Sequence, residues 1–433
     1  MNWIPFNVFQ KLIRHWDGMH PYNAAQVMKL SGAMDHARLL QAWRDTLEEL
    51  RLSRIDCSEE RYRWRAPLRG EEPAALIEVP AGTSLDQFMS SELNRPFDEA
   101  AGEPFRAFVI DQGESHFLGV IYHHWIADSY SIRLLLREWF LRLYDPARAR
   151  RRPFDAPEAG YRELFGPDAG GWSMKDSILS MLRWGTRFGK ARRIGKAKFG
   201  ELDADFTFFR GRDGLIDALT ASARASGISI NDIFLAAMAM VCQELLPLDG
   251  TMWRRDLALG TIVDLRGRAG RKLHETFGLF LGFTTVFCRP EEIANPGQLV
   301  GRIHRQIALQ KQSHAAEASM MRMSGALVFK RLLGPGQLLE LYRKRFTMTT
   351  GVSNVNLNRD WPATYFPSPL EEYIRVSPCG PLMPVVFTPT TLGRSLDVGV
   401  TCRRSIIPAA GIHILAERFM QHLEQFAAMD RIA

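Results

Sequence analysis

The feature that most constrains the fold is a strand followed at once by a helix, with a histidine pair between them. Residues 117–122 form a nearly continuous apolar run with β-branched residues, which predicts a strand buried on both faces. After the turn, apolar residues recur every three or four positions and predict a helix: Ile132, Leu135, Leu136, Trp139, Phe140 and Leu143. Asp128, Ser129 or Ser131 can supply its N-cap oxygen. His123 and His124 therefore lie in a strand-to-helix turn.

The histidine pair admits three interpretations. The pair could be core histidines whose ring nitrogens form hydrogen bonds with backbone carbonyls. His124 and Asp128 could bind a metal, although no third Cys, His or carboxylate follows at ligand spacing. A histidine near the positive end of a helix, beside Trp125 and Ile126, is otherwise expected to be neutral, because desolvation and the helix dipole both disfavour imidazolium. Neutral imidazole is the form that a general base requires.

The pattern His-His-x-x-x-Asp, formed by His123, His124 and Asp128, resembles the signature of an acyltransferase superfamily. That superfamily includes chloramphenicol acetyltransferase, plant BAHD acyltransferases, wax ester synthases and peptide-synthetase condensation domains. The resemblance implies an α/β fold of two chloramphenicol-acetyltransferase-like lobes, each a mixed sheet flanked by helices, with the active site in a channel between them. It further implies that His124 is the catalytic base and that His123 and Asp128 support the turn. Most members have Gly after the motif aspartate, where this chain has Ser129.

The second half of the chain continues the resemblance. Ser229 and Asp232 form a capping-box pattern before an apolar helix predicted over residues 233–245, similar to the opening of the second lobe in condensation domains. A strand predicted over residues 257–263 leads to Arg266, and the resemblance implies that Arg266 reaches Asp128 across the lobe interface. The stretch 277–289 resembles a condensation-domain pattern but has Gly282 where Asn is common.

Residues 348–355 predict one strand, which carries Ser353 and Asn354. The pair is similar to the Ser-Asn element beside the wax ester synthase channel, and a plain polar strand end is the alternative. Acyl transfer needs hydrogen-bond donors for the developing oxyanion. The candidates are the backbone N–H of Ser129 and the side chains of Ser353 and Asn354.

Composition limits the remaining possibilities. A chain of 433 residues with 46% hydrophobic and 24% charged residues is an ordinary globular sequence. The five cysteines never take C-x-x-C spacing, so we predict neither disulfides nor a metal site. The N-terminus lacks the pattern of a secretory signal, and the longest strongly apolar run is too short to span a bilayer, so we expect a cytoplasmic protein.

Positive charge is concentrated in one segment. Residues 172–200 contain eight basic residues and the single acid Asp176, so they carry +7, which equals the net charge of the whole chain. Aromatic and aliphatic residues are interleaved with these cations. The segment suits contact with an anionic membrane or an acidic partner protein, and a solvated linker is the equal alternative. No nucleic-acid-binding motif accompanies the charge.

We therefore predict an N-terminal lobe over residues 1–170, a basic amphipathic linker over 171–203 and a C-terminal lobe over 204–433. The implied activity is direct acyl transfer from a thioester, on coenzyme A or a phosphopantetheinyl carrier protein, to a hydroxyl or amine in lipid or natural-product biosynthesis. Ester formation is narrowly favoured, no permanent cofactor is expected, and no acyl-enzyme forms. The alternative is a non-catalytic module that keeps the fold and binds a carrier protein. A hydrolase with a Ser or Cys nucleophile ranks last, because no G-x-S-x-G elbow is present.

Overall fold

The structure is a computed structural model of the chain. It describes residues 2–157, 160–166, 173–194, 200–246, 248–249, 253–268, 273–346, 348–429 and 431–432. Within these residues the predicted α/β class and two-lobed arrangement are confirmed, because two mixed sheets are each flanked by helices.

The strands of the N-terminal half are short at first and longer around the motif. They are β1 (Ile4–Pro5), β2 (Asn23–Ser31), β3 (Arg54–Cys57), β4 (Arg61–Arg65), β5 (Leu76–Glu78), β6 (Phe105–Asp111), β7 (Ser115–His123) and β8 (Arg193–Ile194). The strands that follow are β9 (Ala204–Arg210), β10 (Leu248–Asp249), β11 (Leu257–Asp264), β12 (Leu281–Cys288), β13 (Thr350–Val352), β14 (Val355–Asn356), β15 (Leu370–Val376), β16 (Val385–Leu392) and β17 (Ser395–Arg403).

The helices cover the sheets and carry many of the predicted caps. In the N-terminal half they are α1 (Val8–Asp17), α2 (His36–Leu50), α3 (Leu85–Leu93), α4 (Ser129–Tyr144), α5 (Tyr161–Phe165) and α6 (Met174–Phe188). In the C-terminal half they are α7 (Leu215–Ala225), α8 (Ile230–Leu245), α9 (Pro290–Ile293), α10 (Pro296–Gln312), α11 (Ser319–Leu332), α12 (Pro335–Leu341) and α13 (Ala409–Ala427). The predicted capping box of α8 is confirmed, since Ser229 and Asp232 bond each other's backbone amides.

The first sheet has the strand order β15-β2-β7-β6-β5, and every neighbouring pair is antiparallel except β5 with β6. The second sheet runs β12-β11-β13-β16-β17-β9, with β14 beside β16. All of β7 except its first residue is buried, as its apolar sequence predicts. Helix α8 is buried along nearly its whole length, which fits its uniformly apolar sequence.

Strand β15 departs from a simple division of the chain into two halves. It lies at residues 370–376, yet it pairs antiparallel with β2 in the first sheet, where Tyr373 is the register partner of Met28. The first sheet therefore takes its outer strand from the predicted C-terminal lobe. The division at residues 170 and 204 stays a prediction, and any division must place β15 with the first sheet.

Two local features differ from their sequence patterns. The single strand predicted over residues 348–355 is interrupted, because β13 ends at Val352 and β14 begins at Val355, which leaves Ser353 and Asn354 at the break. At Gly282, a Cβ atom would lie 2.4 Å from the carbonyl oxygen of Ala316. The backbone at Ala316 therefore leaves no room for the Asn that is common at this position.

The basic segment is described at residues 173–194 and 200, whereas Trp172 and residues 195–199, with Lys196 and Lys198, lie outside the described residues. Helix α6 turns Phe188 into the protein, where its ring packs against Phe287, while Ile178 and Leu182 are exposed. Among the described residues, no single helix is long and apolar enough to cross a bilayer. Only α7 and α8 taken together have the length and composition, and they are bent by 107°.

Candidate active site

His124 follows β7 directly and begins the turn into α4. Its backbone N–H donates to the carbonyl of Tyr22 at 3.1 Å, and its Nδ1 lies 3.3 Å from the carbonyl oxygen of Ala127. Because a carbonyl only accepts, we assign the ring proton to Nδ1, which leaves a lone pair on Nε2. Burial lowers the pKa of His124 below its ordinary value. The ring is therefore neutral near pH 7, the state that its position in the sequence predicts.

His123 is the last residue of β7 and is buried. Its Nε2 lies 2.7 Å from Oδ1 of Asp17, and the indole N–H of Trp125 donates to its Nδ1 at 2.8 Å. The imidazole also stacks on Phe97, with ring centroids 5.6 Å apart and planes 6° apart. These contacts fix the ring inside the protein, and the supporting role that the resemblance implies for His123 stays a prediction.

Asp128 is the N-cap of α4 and is fully buried. Its Oδ1 accepts from the backbone N–H of Ser131 at 3.0 Å. Its Oδ2 accepts from the backbone N–H of Phe280 at 2.9 Å and from Nη1 of Arg266 at 2.6 Å. The structure thus contains the contact between Asp128 and Arg266 that the resemblance implies.

Arg266 is held in the motif turn by several further contacts. Its Nη2 donates to Oγ of Ser131 at 2.9 Å and to the carbonyl of Gly278 at 3.3 Å. The rings of Tyr130 and Phe280 each lie 4.7 Å from the guanidinium carbon. Arg266 follows β11 of the second sheet, so this cluster joins the second sheet to the helix that carries the motif.

A cavity of about 680 Å³ lies between the two sheets and reaches His124. Four of the predicted site residues line it: His124, Ser129, Ser353 and Asn354. Asp128 and Arg266 lie in the interior next to it, where neither side chain is accessible. The structure therefore brings the predicted base and the predicted oxyanion donors to one cavity, with the ion pair behind them.

Ser129, which replaces the common Gly, is anchored by two donors. Its hydroxyl oxygen accepts from Nε2 of Gln26 at 3.0 Å and from Nε of Arg375 at 3.1 Å. The same guanidinium donates to the hydroxyl of Ser353 at 2.5 Å and to the Ser353 carbonyl at 2.8 Å. Arg375 therefore links the predicted channel residues of the two sheets.

Sequence reasoning missed Gln26 and Arg375. The two residues are register partners in the pairing of β2 with β15, and Tyr373 donates its hydroxyl proton to Oε1 of Gln26 at 2.6 Å. Each is a polar residue inside an apolar run. That signal could have singled them out, because a buried polar side chain needs a hydrogen-bond partner.

A metal centre has no support in the part of the chain that the structure describes. No three His, Cys, Asp or Glu side chains there are grouped closely enough to hold an ion. The Asp128 carboxylate is instead occupied by Arg266 and by two backbone amides. The five cysteines are all unpaired, and all but Cys57 are buried.

Comparison with known proteins gives a family match over the part of the chain that contains the motif. Residues 9–164, which contain the His-His-x-x-x-Asp stretch, match the condensation-domain family. Chondramide synthase cmdD of Chondromyces crocatus is 29% identical over 304 residues, which are 64% of this chain and 7% of that protein. A plipastatin synthase component of Bacillus subtilis (strain 168) is 22% identical over 251 residues, 56% of this chain and 9% of that protein. The chain thus spans less than a tenth of these relatives.

Solved structures share the fold along the full length. The first condensation domain of the calcium-dependent antibiotic synthetase, in complex with a substrate analogue, is 18% identical with a TM-score of 0.70, over 100% of this chain and 98% of that one. The starter condensation domain of rhizomide synthetase RzmA, as a mutant in complex with C8-CoA and Leu-SNAC, has 14% identity and a TM-score of 0.63, over 99% and 95% of the two chains. The segment 9–164 that contains the motif is thus similar to the condensation-domain family, and the whole chain shares the fold of solved condensation domains.

Proposed function

We propose that this protein transfers an acyl group directly from a thioester to an acceptor hydroxyl or amine, with His124 as the general base. The family as a whole transfers acyl groups between thioester-bound substrates. The observation that carries the proposal is the arrangement of His124: a neutral ring whose Nδ1 is bonded to the Ala127 carbonyl, at the wall of a cavity between the lobes.

The reaction is an addition to the thioester carbonyl followed by elimination of the thiolate. Nε2 of His124 accepts the proton of the acceptor as its oxygen or nitrogen attacks the thioester carbonyl, which forms a tetrahedral oxyanion. When the carbon–sulfur bond breaks, the imidazolium returns that proton to the leaving thiolate. General base catalysis of this kind contributes about 10²- to 10⁴-fold to the rate. No covalent acyl-enzyme forms.

The oxyanion needs donors that are fixed before the reaction. The hydroxyl of Ser129 already accepts bonds from Gln26 and Arg375, so its own proton is free to point into the cavity. The Asn354 amide also lines the cavity and has no hydrogen bond to another described residue. We propose these two groups as the oxyanion donors, with Ser353 engaged by Arg375 as their support.

A hydrophobic acyl group is the donor that the cavity favours. Apolar side chains of α1 and α11 form much of its wall: Phe9, Leu12, Ile13, Met323, Ala326 and Phe329. Burial of an alkyl chain against such a wall gains about 0.8 kcal/mol per methylene. The neighbour that was solved with C8-CoA supports a donor on coenzyme A, and the synthetase relatives support one on a carrier protein.

We further propose that the protein works in the cytoplasm and contacts an anionic membrane through the described part of the basic segment. Ile178 and Leu182 of α6 are 43% and 60% exposed, and Arg183, Arg187 and Lys190 around them are also exposed. Trp184 of the same helix lines the cavity. A hydrophobic substrate would then have a short path from the lipid to the cavity.

The test is a panel of acyl-CoA and acyl-pantetheinyl donors of increasing chain length, each combined with a mixture of alcohols and amines. We expect release of free thiol and one product mass that equals donor acyl plus acceptor. A purified, folded protein that releases no thiol above the buffer rate with any pair would contradict the proposal. Carrier-protein binding without turnover would then favour the non-catalytic module.

A further inference from the structure

The cavity that contains His124 has an excess of positive charge. Among the described residues, its lining includes four arginines and two aspartates, and neither Lys nor Glu. One of these arginines is paired with an aspartate of the same wall, because Arg133 Nη2 lies 3.1 Å from Oδ2 of Asp360. The wall therefore attracts an anionic group into the cavity.

Arg375 is the arginine of this wall with the most unusual environment. It is only 4% exposed, and within the described ranges no Asp or Glu lies at ion-pair distance from it. Its guanidinium donates only to neutral oxygens: the Ser129 hydroxyl, the Ser353 hydroxyl and carbonyl, and the Pro389 carbonyl. These contacts use all but one of the N–H groups of a guanidinium.

Such a charge is costly in the protein interior. Buried charges are ordinarily paired, since neutral hydrogen-bond acceptors replace only part of the hydration that is lost. The cost is visible in Arg375, because burial, with a further contribution from the nearby Arg133, lowers its pKa to about 9. A fixed cation at a cavity wall, with no carboxylate of the described residues beside it, is suited to bind an anionic group of a substrate.

We propose that Arg375 binds a carboxylate of the acceptor substrate, so that the acceptor is a hydroxy acid or amino acid whose carboxyl group is free. The inference rests on the proposed acyl transfer and adds the class of acceptor. A planar guanidinium suits a carboxylate, because the pair forms charge-assisted hydrogen bonds of defined geometry.

The position of Arg375 relative to the base fits this role. Its Nε is bonded to Ser129, which begins the helix that follows the His124 turn. Tyr122 packs against His124 with ring centroids 5.7 Å apart. Gln26 connects this side of the cavity to Ser129. Arg375 and His124 line the same cavity, so a carboxylate held at Arg375 would keep the rest of the acceptor in the cavity that His124 lines.

The test uses binding and turnover separately. N-Octanoyl-leucine and its methyl ester are titrated into the full chain by calorimetry, and thiol release from C8-CoA is followed with leucine or leucine methyl ester as acceptor. We expect the wild-type protein to prefer the carboxylate in both assays by at least about tenfold. Arg375→Gln removes the preference, and Arg375→Lys, which keeps the charge without the fork, retains part of it.

Arg322→Gln is the matched control. Arg322 also lines the cavity without an ion pair among the described residues, but it lies between Trp184 and Phe283. This variant is expected to keep the preference, and an equal loss would overturn the proposal in favour of a general positive field. Equal affinity of wild-type protein for acid and ester overturns it without any variant. A loss of kcat with both acceptors in Arg375→Gln that leaves the acid-to-ester ratio unchanged would restrict the residue to the support of Ser129 and Ser353 and overturn the carboxylate site.

The two proposals fail in different ways. Thiol release at equal kcat/KM for leucine and its ester would leave acyl transfer standing and remove the carboxylate site. Tighter binding of the carboxylate without any thiol release would leave the site standing and remove acyl transfer.

Discussion

Nη1 of Arg266 lies 2.6 Å from Oδ2 of Asp128, and both side chains are completely removed from solvent although 138 residues separate them in the chain. Removing one member of such a pair leaves the other charged and buried. We expect Asp128→Asn to lower the free energy of unfolding by about 3–5 kcal/mol, measured by urea denaturation.

Asp264→Asn is the control for this prediction. Asp264 also approaches Nη1 of Arg266, at 3.4 Å, but its side chain is 45% exposed. We expect a loss below about 1 kcal/mol. Equal losses in the two variants would mean that the buried pair contributes no more than an exposed one.

His124→Ala should remove the base and leave the fold. We expect thiol release to fall by about 10²- to 10⁴-fold, with an unchanged circular dichroism spectrum. His116→Ala is the matched variant, because His116 is a buried histidine of the strand that precedes His124 and its Nδ1 contacts the Gly32 carbonyl. Full activity in His124→Ala would exclude the general-base role.

The pH dependence follows from the same residue. Burial lowers the pKa of His124 below 6.5, and a general base acts in its unprotonated form. On the acid side, we expect kcat/KM to be constant down to pH 6.5 and to decline below it. The unfolded chain takes up this proton at higher pH than the folded one, so stability should also fall as pH decreases through 6.5. An acid limb above 6.5 would contradict the assignment.

Gly325 offers a way to shorten the apolar part of the cavity. It lies on α11 and lines the cavity, and a Cβ built there meets nothing within 4 Å. Gly325→Leu should therefore fold well, fill space, and lower the ratio of kcat/KM for long-chain over short-chain donors by at least about tenfold. Gly336→Leu, at an equally open helix position outside the cavity lining, should leave the ratio unchanged. An unchanged ratio in both variants would place the acyl chain elsewhere.

Membrane contact can be tested on α6. We expect the wild-type protein to co-sediment with vesicles that contain anionic lipid, less so at high salt. Leu182→Glu should weaken the partition coefficient about five- to tenfold, because it adds a negative charge and removes apolar area. Ile414→Glu alters a similarly exposed apolar residue of α13 and should have no effect. Wild-type protein that stays in the supernatant would refute the proposal.

The sequence predicted the motif turn because its signals are local. An apolar strand, a cap and an amphipathic helix are all encoded within residues 117–143, and the structure places β7, the Asp128 cap and α4 there. The local sequence could not decide which of Asp128, Ser129 and Ser131 is the N-cap of α4. The choice depends on Arg266 and the Phe280 amide, which reach Asp128 from the second sheet.

The residues that line the cavity could not be predicted from local sequence signals. Arg375 becomes a site residue only because β15 pairs with β2, and no periodicity within residues 370–376 specifies a partner some 340 residues away. The break at Ser353 has a similar origin. Its hydroxyl and carbonyl bond a guanidinium from the other sheet, and the local pattern predicts only a continuous strand.

The position of β15 in the first sheet also determines when that sheet can be completed during synthesis. Until residues 370–376 have left the ribosome, β2 is an edge strand with unpaired backbone groups on one side. Exposed edges pair readily with other chains. We therefore expect this edge of the first sheet to stay open to such pairing until most of the second sheet has been translated.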